Sequence, residues 1–206
     1  MTPKELCSRV RVIPVLVVEE LAHAVPMARA LAGGGLSVLE VTLRSACALD
    51  AIRAMREVVP EATVGAGTVL TPADVQACEA AGAQFAVSPG ATPALLDAVE
   101  EAGLPLLPGA ATPTDIMALA ARGDDTLKFF PAEAAGGVAM LKALSGPLPG
   151  IAFCPTGGIS PANAMDYLAL PNVLCVGGSW VVPKDAVARG DWSRVAELAH
   201  EASLLG

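Results

Sequence analysis

A (β/α)8 barrel of the TIM type, formed as a single domain over residues 1–206, is the fold class that the sequence predicts. Three observations predict it. Short β-branched or Leu-rich runs alternate with Ala-rich amphipathic stretches from end to end, which is the pattern of strand–helix units. Eight such units fill 206 residues at roughly 26 each, the lower end of the barrel size range. Four of the helices also open on one grammar, a hydroxyl residue followed by proline.

Arg11–Val17 is the first strand, an apolar run that carries Pro14, and a helix near 20–32 follows it. Ser37–Leu43 is the second strand, with its helix at 46–58. Thr63–Gly65 leads to a helix at 72–81, Gln84–Val87 to 93–102, and Pro105–Leu107 to 113–121. Thr126–Phe130 leads to 137–145, Ile151–Cys154 to 161–169, and Val173–Val176 to 191–203. The helix starts at Thr71-Pro72, Thr92-Pro93, Thr112-Pro113 and Ser160-Pro161 are encoded locally. A hydroxyl N-cap accepts an otherwise orphaned amide hydrogen, and proline at the next position brings a fixed φ and no N–H to satisfy. The β–α alternation implies a parallel sheet with right-handed crossovers. An open doubly wound sheet would share that order, but no GxGxxG turn follows the first strand.

The composition narrows the function. The chain is 53% hydrophobic and 17% charged, which suits a sheet wrapped in helices, and its formal charge of -8 comes with no cluster among the 13 Lys and Arg. Nucleic acid and anionic membrane are therefore not expected partners, since either requires a basic stripe. A small anionic metabolite stays open, because local amides and a few donors suffice to hold one. Five scattered cysteines without a CxxC pair point to neither a disulfide framework nor a zinc site, and fit a reducing, cytoplasmic compartment. The apolar run Val12–Val18 is too short to span a bilayer, and no export signal is read.

In α/β barrels ligands bind at the carboxyl ends of the strands, so a charged residue inside an apolar strand is the one to question. Two qualify: Glu40 within Val38–Arg44, and Lys128 within Leu127–Pro131. Side-chain alternation puts Glu40 with Val38, Thr42 and Arg44, and Lys128 with Thr126 and Phe130, on faces that look into the barrel mouth. A structural ion pair would account for both residues. A lysine among apolar and aromatic neighbours is also disfavoured in its charged form, which suits an amine that attacks a carbonyl. Carbon–carbon cleavage of a β-hydroxy ketone needs an electron sink, which an imine on Lys128 supplies. It also needs a proton carrier, which Glu40 supplies.

Glycine pairs follow the last two strands, at Gly157-Gly158 and Gly177-Gly178, where phosphate sites recur in barrels. Tight turns would explain either pair alone. Arg44 and Thr68 are candidates for a substrate carboxylate, through a guanidinium fork completed by a hydroxyl, although a surface charge explains Arg44 equally well. His23 and His200 fall in helices and are read as surface or packing residues; no strand end gathers a metal-ligand set, and neither metal nor cofactor is expected.

The segments Leu39–Arg44, Val64–Val69, Gly82–Phe85, Ser88–Gly90, Lys128–Glu133, Phe153–Ile159 and Gly177–Trp180 resemble the 2-keto-3-deoxy-6-phosphogluconate (KDPG) aldolases of the Entner–Doudoroff pathway, in order and spacing from about residue 10 onward. The resemblance implies a homotrimeric class I aldolase that releases pyruvate and D-glyceraldehyde 3-phosphate and often acts on 4-hydroxy-2-oxoglutarate. It implies Lys128 as the Schiff-base lysine, Glu40 as acid/base, and Arg44, Thr68, Pro89 and Phe130 as the pyruvate pocket. Thr156 would govern the aldehyde face, and Gly157, Gly158, Gly178 and Ser179 would hold the phosphate. Two departures, Gly109-Ala110-Ala111-Thr112 and Ala135, bear on side-substrate preference, and the short segment before residue 10 leaves a pocket-covering arm unaccounted for. An aldolase for the galactonate epimer, or a non-catalytic phosphate-binding barrel, are the alternatives; Cys154-Pro155-Thr156-Gly157-Gly158 favours the gluconate form.

Overall fold

The computed structural model describes residues 1–205. Its parallel strands are β1 (Val12–Leu16), β2 (Val38–Thr42), β3 (Thr63–Gly67), β4 (Ala86–Val87), β5 (Leu106–Leu107), β6 (Gly109–Ala110), β7 (Thr126–Phe129), β8 (Ala152–Pro155) and β9 (Val176–Gly178). One ladder runs β5-β4-β3-β2-β1-β9 and a second β6-β7-β8. The two ladders join into a barrel. Pro108 divides the fifth strand position into β5 and β6 because it has no N–H for the ladder, yet its carbonyl still accepts from Lys128 N at 2.9 Å. At the other seam, bridges at Phe153–Val173 and Thr156–Gly177 connect β8 to the last strand.

The helices are α1 (Pro3–Cys7), α2 (Ala24–Gly33), α3 (Ala48–Val58), α4 (Pro72–Ala80), α5 (Pro93–Ala102), α6 (Pro113–Ala120), α7 (Gly137–Leu144), α8 (Ala164–Leu168), α9 (Lys184–Ala188) and α10 (Trp192–Ser203), with a 3-10 turn at Leu21–His23 before α2. Thr71, Thr92 and Thr112 cap α4, α5 and α6 as the sequence predicts. Ser160 does not. The Asn163 side chain accepts from Ser160 N at 2.8 Å and donates to Gly158 O at 3.0 Å, which winds residues 161–163 into turns, so α8 begins at Ala164. The predicted last strand, Val173–Val176, is also displaced: Val173 makes one isolated bridge, and the regular ladder to β1 starts at Val176. The sequence reading omitted α1 and α9, each five residues long, although Thr2-Pro3 carries the same capping grammar and closes a full capping box with Glu5.

Strand alternation sorts the core into two shells. Leu39, Val41, Val64, Leu127, Phe129 and Phe153 face the helices, with the Phe129 and Phe153 rings edge to face at 6.2 Å. Ile13, Val38, Phe85, Val87, Leu107, Cys154 and Cys175 form a second cluster inside the barrel, joined by Leu6, Cys7 and Val10. The segment before residue 10 is thus a plug. It closes the N-terminal end of the barrel, where Arg9 donates to Thr63 at the start of β3 and Lys4 reaches Asp125 just before β7. That leaves the carboxyl ends of the strands as the open face. Among the described residues no helix is long and apolar enough to cross a membrane.

Candidate active site

Glu40 and Lys128 meet inside the barrel. Lys128 Nζ donates to Glu40 Oε1 at 3.3 Å, and the residues are only 6% and 3% exposed. Glu40 sits in register with Val15 and Gly65, and Lys128 with Gly109 and Cys154, so the pair reaches across the interior from β2 to β7. The Lys128 ammonium also lies 5.4 Å from the centroid of the Phe130 ring. Removing two charges from water is costly, and such a pair is weak evidence for stability alone. Glu40 fits because β3 ends in glycine: a Cβ on Gly67 would lie 2.7 Å from Glu40 Cγ and 2.8 Å from its Cδ.

On one side of the pair the mouth widens into a cavity of about 660 Å³ lined by Val15, Val17, His23, Arg44, Ser179 and Lys184, among others. Arg44 is exposed at this rim, and its Nε donates to Thr42 Oγ1 at 3.1 Å, while the Thr42 hydroxyl donates in turn to Leu16 O at 2.7 Å. This chain of donors aims the guanidinium from below. Thr68, just past β3, has φ of 60° and is the one non-glycine residue at positive φ among those described. Such a conformation persists only where the surroundings enforce it, and it is found disproportionately at functional sites.

On the other side Pro89 and Phe130 line a cavity of about 390 Å³ together with Gly109 and Ala110. Gly109 lets the turn after β4 approach, since a Cβ there would lie 2.6 Å from Ser88 O. The two glycine loops stand above the last strands. Thr156 is buried beside Gly177, whose bare Cα face accommodates its side chain. Gly157 and Gly158 both hold positive φ, at 101° and 80°. The loop is clamped to the exit of β7, with Ala132 N donating to Thr156 O at 2.8 Å and Glu133 N to Gly157 O at 3.1 Å. The Glu133 side chain packs on Gly158 and accepts a short hydrogen bond from the Tyr167 hydroxyl. Burial, and then the Glu133 carboxylate, push the Tyr167 phenol well above its ordinary pKa. Gly178 lies under the Trp180 ring, and Ser179 beside it is exposed toward the larger cavity.

The structure thus brings Glu40 and Lys128 into contact, puts Arg44 and Ser179 on one cavity, and puts Pro89 and Phe130 on another. His23 lies in the turn before α2 and packs on a neighbouring ring, within the surface-or-packing reading. It also lines the larger cavity, with its ring 5.5 Å from Trp192. Thr42 and Gly67 were passed over as supports. The alternation that put Glu40 inward marked Thr42 as its neighbour two residues on, whereas nothing local ties Gly67 to Glu40.

Comparison with known proteins is consistent with this arrangement. Residues 4–198 match the family described as "Aldolase: KDPG and KHG aldolase". The KHG/KDPG aldolase of Escherichia coli (strain K12) is 58% identical over 191 residues, 93% of this chain and 90% of that protein. The 2-dehydro-3-deoxy-phosphogluconate aldolase of Pseudoalteromonas atlantica is 52% identical over 202 residues, 98% of this chain and 94% of that protein. Among solved structures, the KDPG aldolase from Legionella pneumophila, with pyruvate captured at low pH as a covalent carbinolamine intermediate, superposes with a TM-score of 0.96 at 47% identity, covering 98% of each chain. With its barrel, its buried lysine–glutamate pair and these likenesses, the chain belongs to the KDPG and KHG aldolase family.

Proposed function

We propose that this chain, as one domain over residues 1–206, cleaves 2-dehydro-3-deoxy-6-phospho-D-gluconate to pyruvate and D-glyceraldehyde 3-phosphate through a Schiff base on Lys128. The observation that carries the reading is the 3.3 Å approach of Lys128 Nζ to Glu40 Oε1 inside an apolar barrel. Glu40 accepts the proton that Lys128 must give up, and the free amine attacks the C2 carbonyl to form a carbinolamine. Glu40 returns that proton to the carbinolamine hydroxyl, which leaves as water and gives an iminium with Glu40 again a carboxylate. Glu40 next takes the C4 hydroxyl proton. The C3–C4 bond breaks, its electron pair moves into the iminium to form an enamine, and the aldehyde phosphate departs. A proton returned to C3 and hydrolysis of the imine release pyruvate and restore the amine.

Arg44 and Thr68 hold the substrate carboxylate, while Pro89 and Phe130 wall the pyruvate methyl side. Thr156 faces the C4 hydroxyl, and the backbone of Gly157, Gly158 and Gly178 with the Ser179 hydroxyl holds the phosphate. The same apparatus accommodates 4-hydroxy-2-oxoglutarate, giving pyruvate and glyoxylate. The proposal extends to a homotrimer acting in the cytoplasm on the Entner–Doudoroff route, in keeping with five free thiols. Borohydride reduction in the presence of pyruvate, followed by peptide mass spectrometry, tests the chemistry. The adduct is expected on Lys128; its appearance on Lys4, Lys142 or Lys184, or nowhere, overturns the mechanism.

A further inference from the structure

Three thiols meet inside the barrel, next to the Lys128–Glu40 pair and unused by its chemistry. Cys7 comes from α1, Cys154 from β8, and Cys175 from the residue before β9, and their Sγ atoms all lie within 4.8 Å of one another. All three are buried, at 0%, 2% and 0% exposure. Their surroundings are apolar, with Leu6, Val10, Ile13, Val38, Phe85 and Leu107 in the same cluster. Among the described residues, the group includes no fourth cysteine, no histidine and no carboxylate.

The donor count and the apolar walls select the guest. A structural zinc site takes four ligands, and this one offers three. A soft monovalent or divalent cation bound by three thiolates leaves net negative charge in an apolar chamber, which is disfavoured. A disulfide would use two sulfurs and strand the third. A trivalent metalloid hydroxide meets every constraint. One As(OH)3 and three thiols give one As(SR)3 and three waters; three As–O and three S–H bonds break, three As–S and three O–H bonds form, and no atom changes oxidation state. Reactants and product are both neutral. We propose that the Cys7–Cys154–Cys175 chamber is a capture site for a trivalent arsenic or antimony hydroxide, bound as a neutral tris-thiolate.

Access is through the plug. α1 is one short helix whose polar side-chain tie to the barrel is an exposed contact, Lys4 to Asp125 at 3.9 Å, so swinging it out together with the buried Leu6 bares Cys7 without breaking the strand ladder. Capture then fastens the plug to β8 and the last strand, and a cross-link between segments so distant in sequence raises stability by restricting the unfolded chain.

The test uses the reduced full-length protein and arsenous acid at neutral pH, followed by desalting, elemental analysis and native mass spectrometry. One arsenic per chain is expected, with a mass increase of one arsenic less three hydrogens and a raised Tm. Cys7→Ala is expected to weaken retention by more than about tenfold, and Cys78→Ala to leave it unchanged. Should Cys7→Ala fail to fold, Cys175→Ala gives the same readout. Absence of stoichiometric arsenic in the wild type, or undiminished retention by a folded Cys7→Ala or Cys175→Ala, overturns the proposal. The measurement is independent of turnover, so the outcome of pyruvate trapping has no bearing on it.

Discussion

The carboxylate of Glu40 occupies the space that a side chain on Gly67 would take. The acid/base group is therefore positioned by an absent atom on the neighbouring strand as well as by its lysine partner. Gly67→Ala is expected to push the carboxylate off Lys128 and lower kcat by about 10²-fold or more, within the range for loss of a general acid/base. Steady-state kinetics beside circular dichroism checks it; a folded variant with wild-type kcat would show that Glu40 tolerates displacement.

The buried pair makes a second, thermodynamic prediction. Lys128→Met leaves the Glu40 carboxylate buried without its counter-charge and is expected to destabilise the fold by about 3–5 kcal/mol. Adding Glu40→Gln removes the orphaned charge, so the double variant should be more stable than Lys128→Met alone. Urea denaturation of the four members of the cycle measures the coupling. Simple additivity would mean that the two groups do not interact in solution.

Thr68 trades stability for placement of its hydroxyl. Thr68→Gly relieves a left-handed backbone at φ of 60° and is expected to stabilise the protein by about 1 kcal/mol. Loss of the hydroxyl is expected to raise KM for the keto acid. Thermal melts and kinetics on one preparation decide the matter, and a variant both less stable and equally active would contradict it.

The cap of α6 carries a pH signature. Thr112 and Asp115 form a reciprocal capping box, and Thr112→Ala is expected to cost about 1 kcal/mol. Burial pushes the Asp115 carboxyl up, but hydrogen bonds from Thr112 and the Ala111 amide outweigh this and hold it below the ordinary carboxylate value. A carboxyl depressed in the fold stabilises above its unfolded pKa, and that contribution is lost as pH falls through the folded one. Asp115→Asn should therefore melt below wild type at pH 7, with the gap closing as pH falls through and below the ordinary carboxylate range. Thermal melts across that window test it; a constant gap would rule out the carboxylate as its source.

The helix starts at Thr71, Thr92 and Thr112 were legible because capping is decided within four residues, and Glu40 and Lys128 because charges inside apolar strands can face only a mouth or a partner. Ser160 misled because its hydroxyl donates to the Asn163 side chain at 3.4 Å and accepts from no helix amide, an alternative that spacing does not rank. The break at Pro108 followed from its missing N–H, but which neighbours each half would pair with depended on barrel closure.

The sequence by itself determined the alternating βα order, the inward faces of β2 and β7 and the two residues that bear charge there, because period-two alternation and capping are local properties. Only the tertiary structure decided that Glu40 rests on Gly67, that His23 lines the larger cavity, and that α1 brings Cys7 to Cys154 and Cys175. Those contacts join residues far apart along the chain, and their distances are set by how the barrel closes and how its core packs.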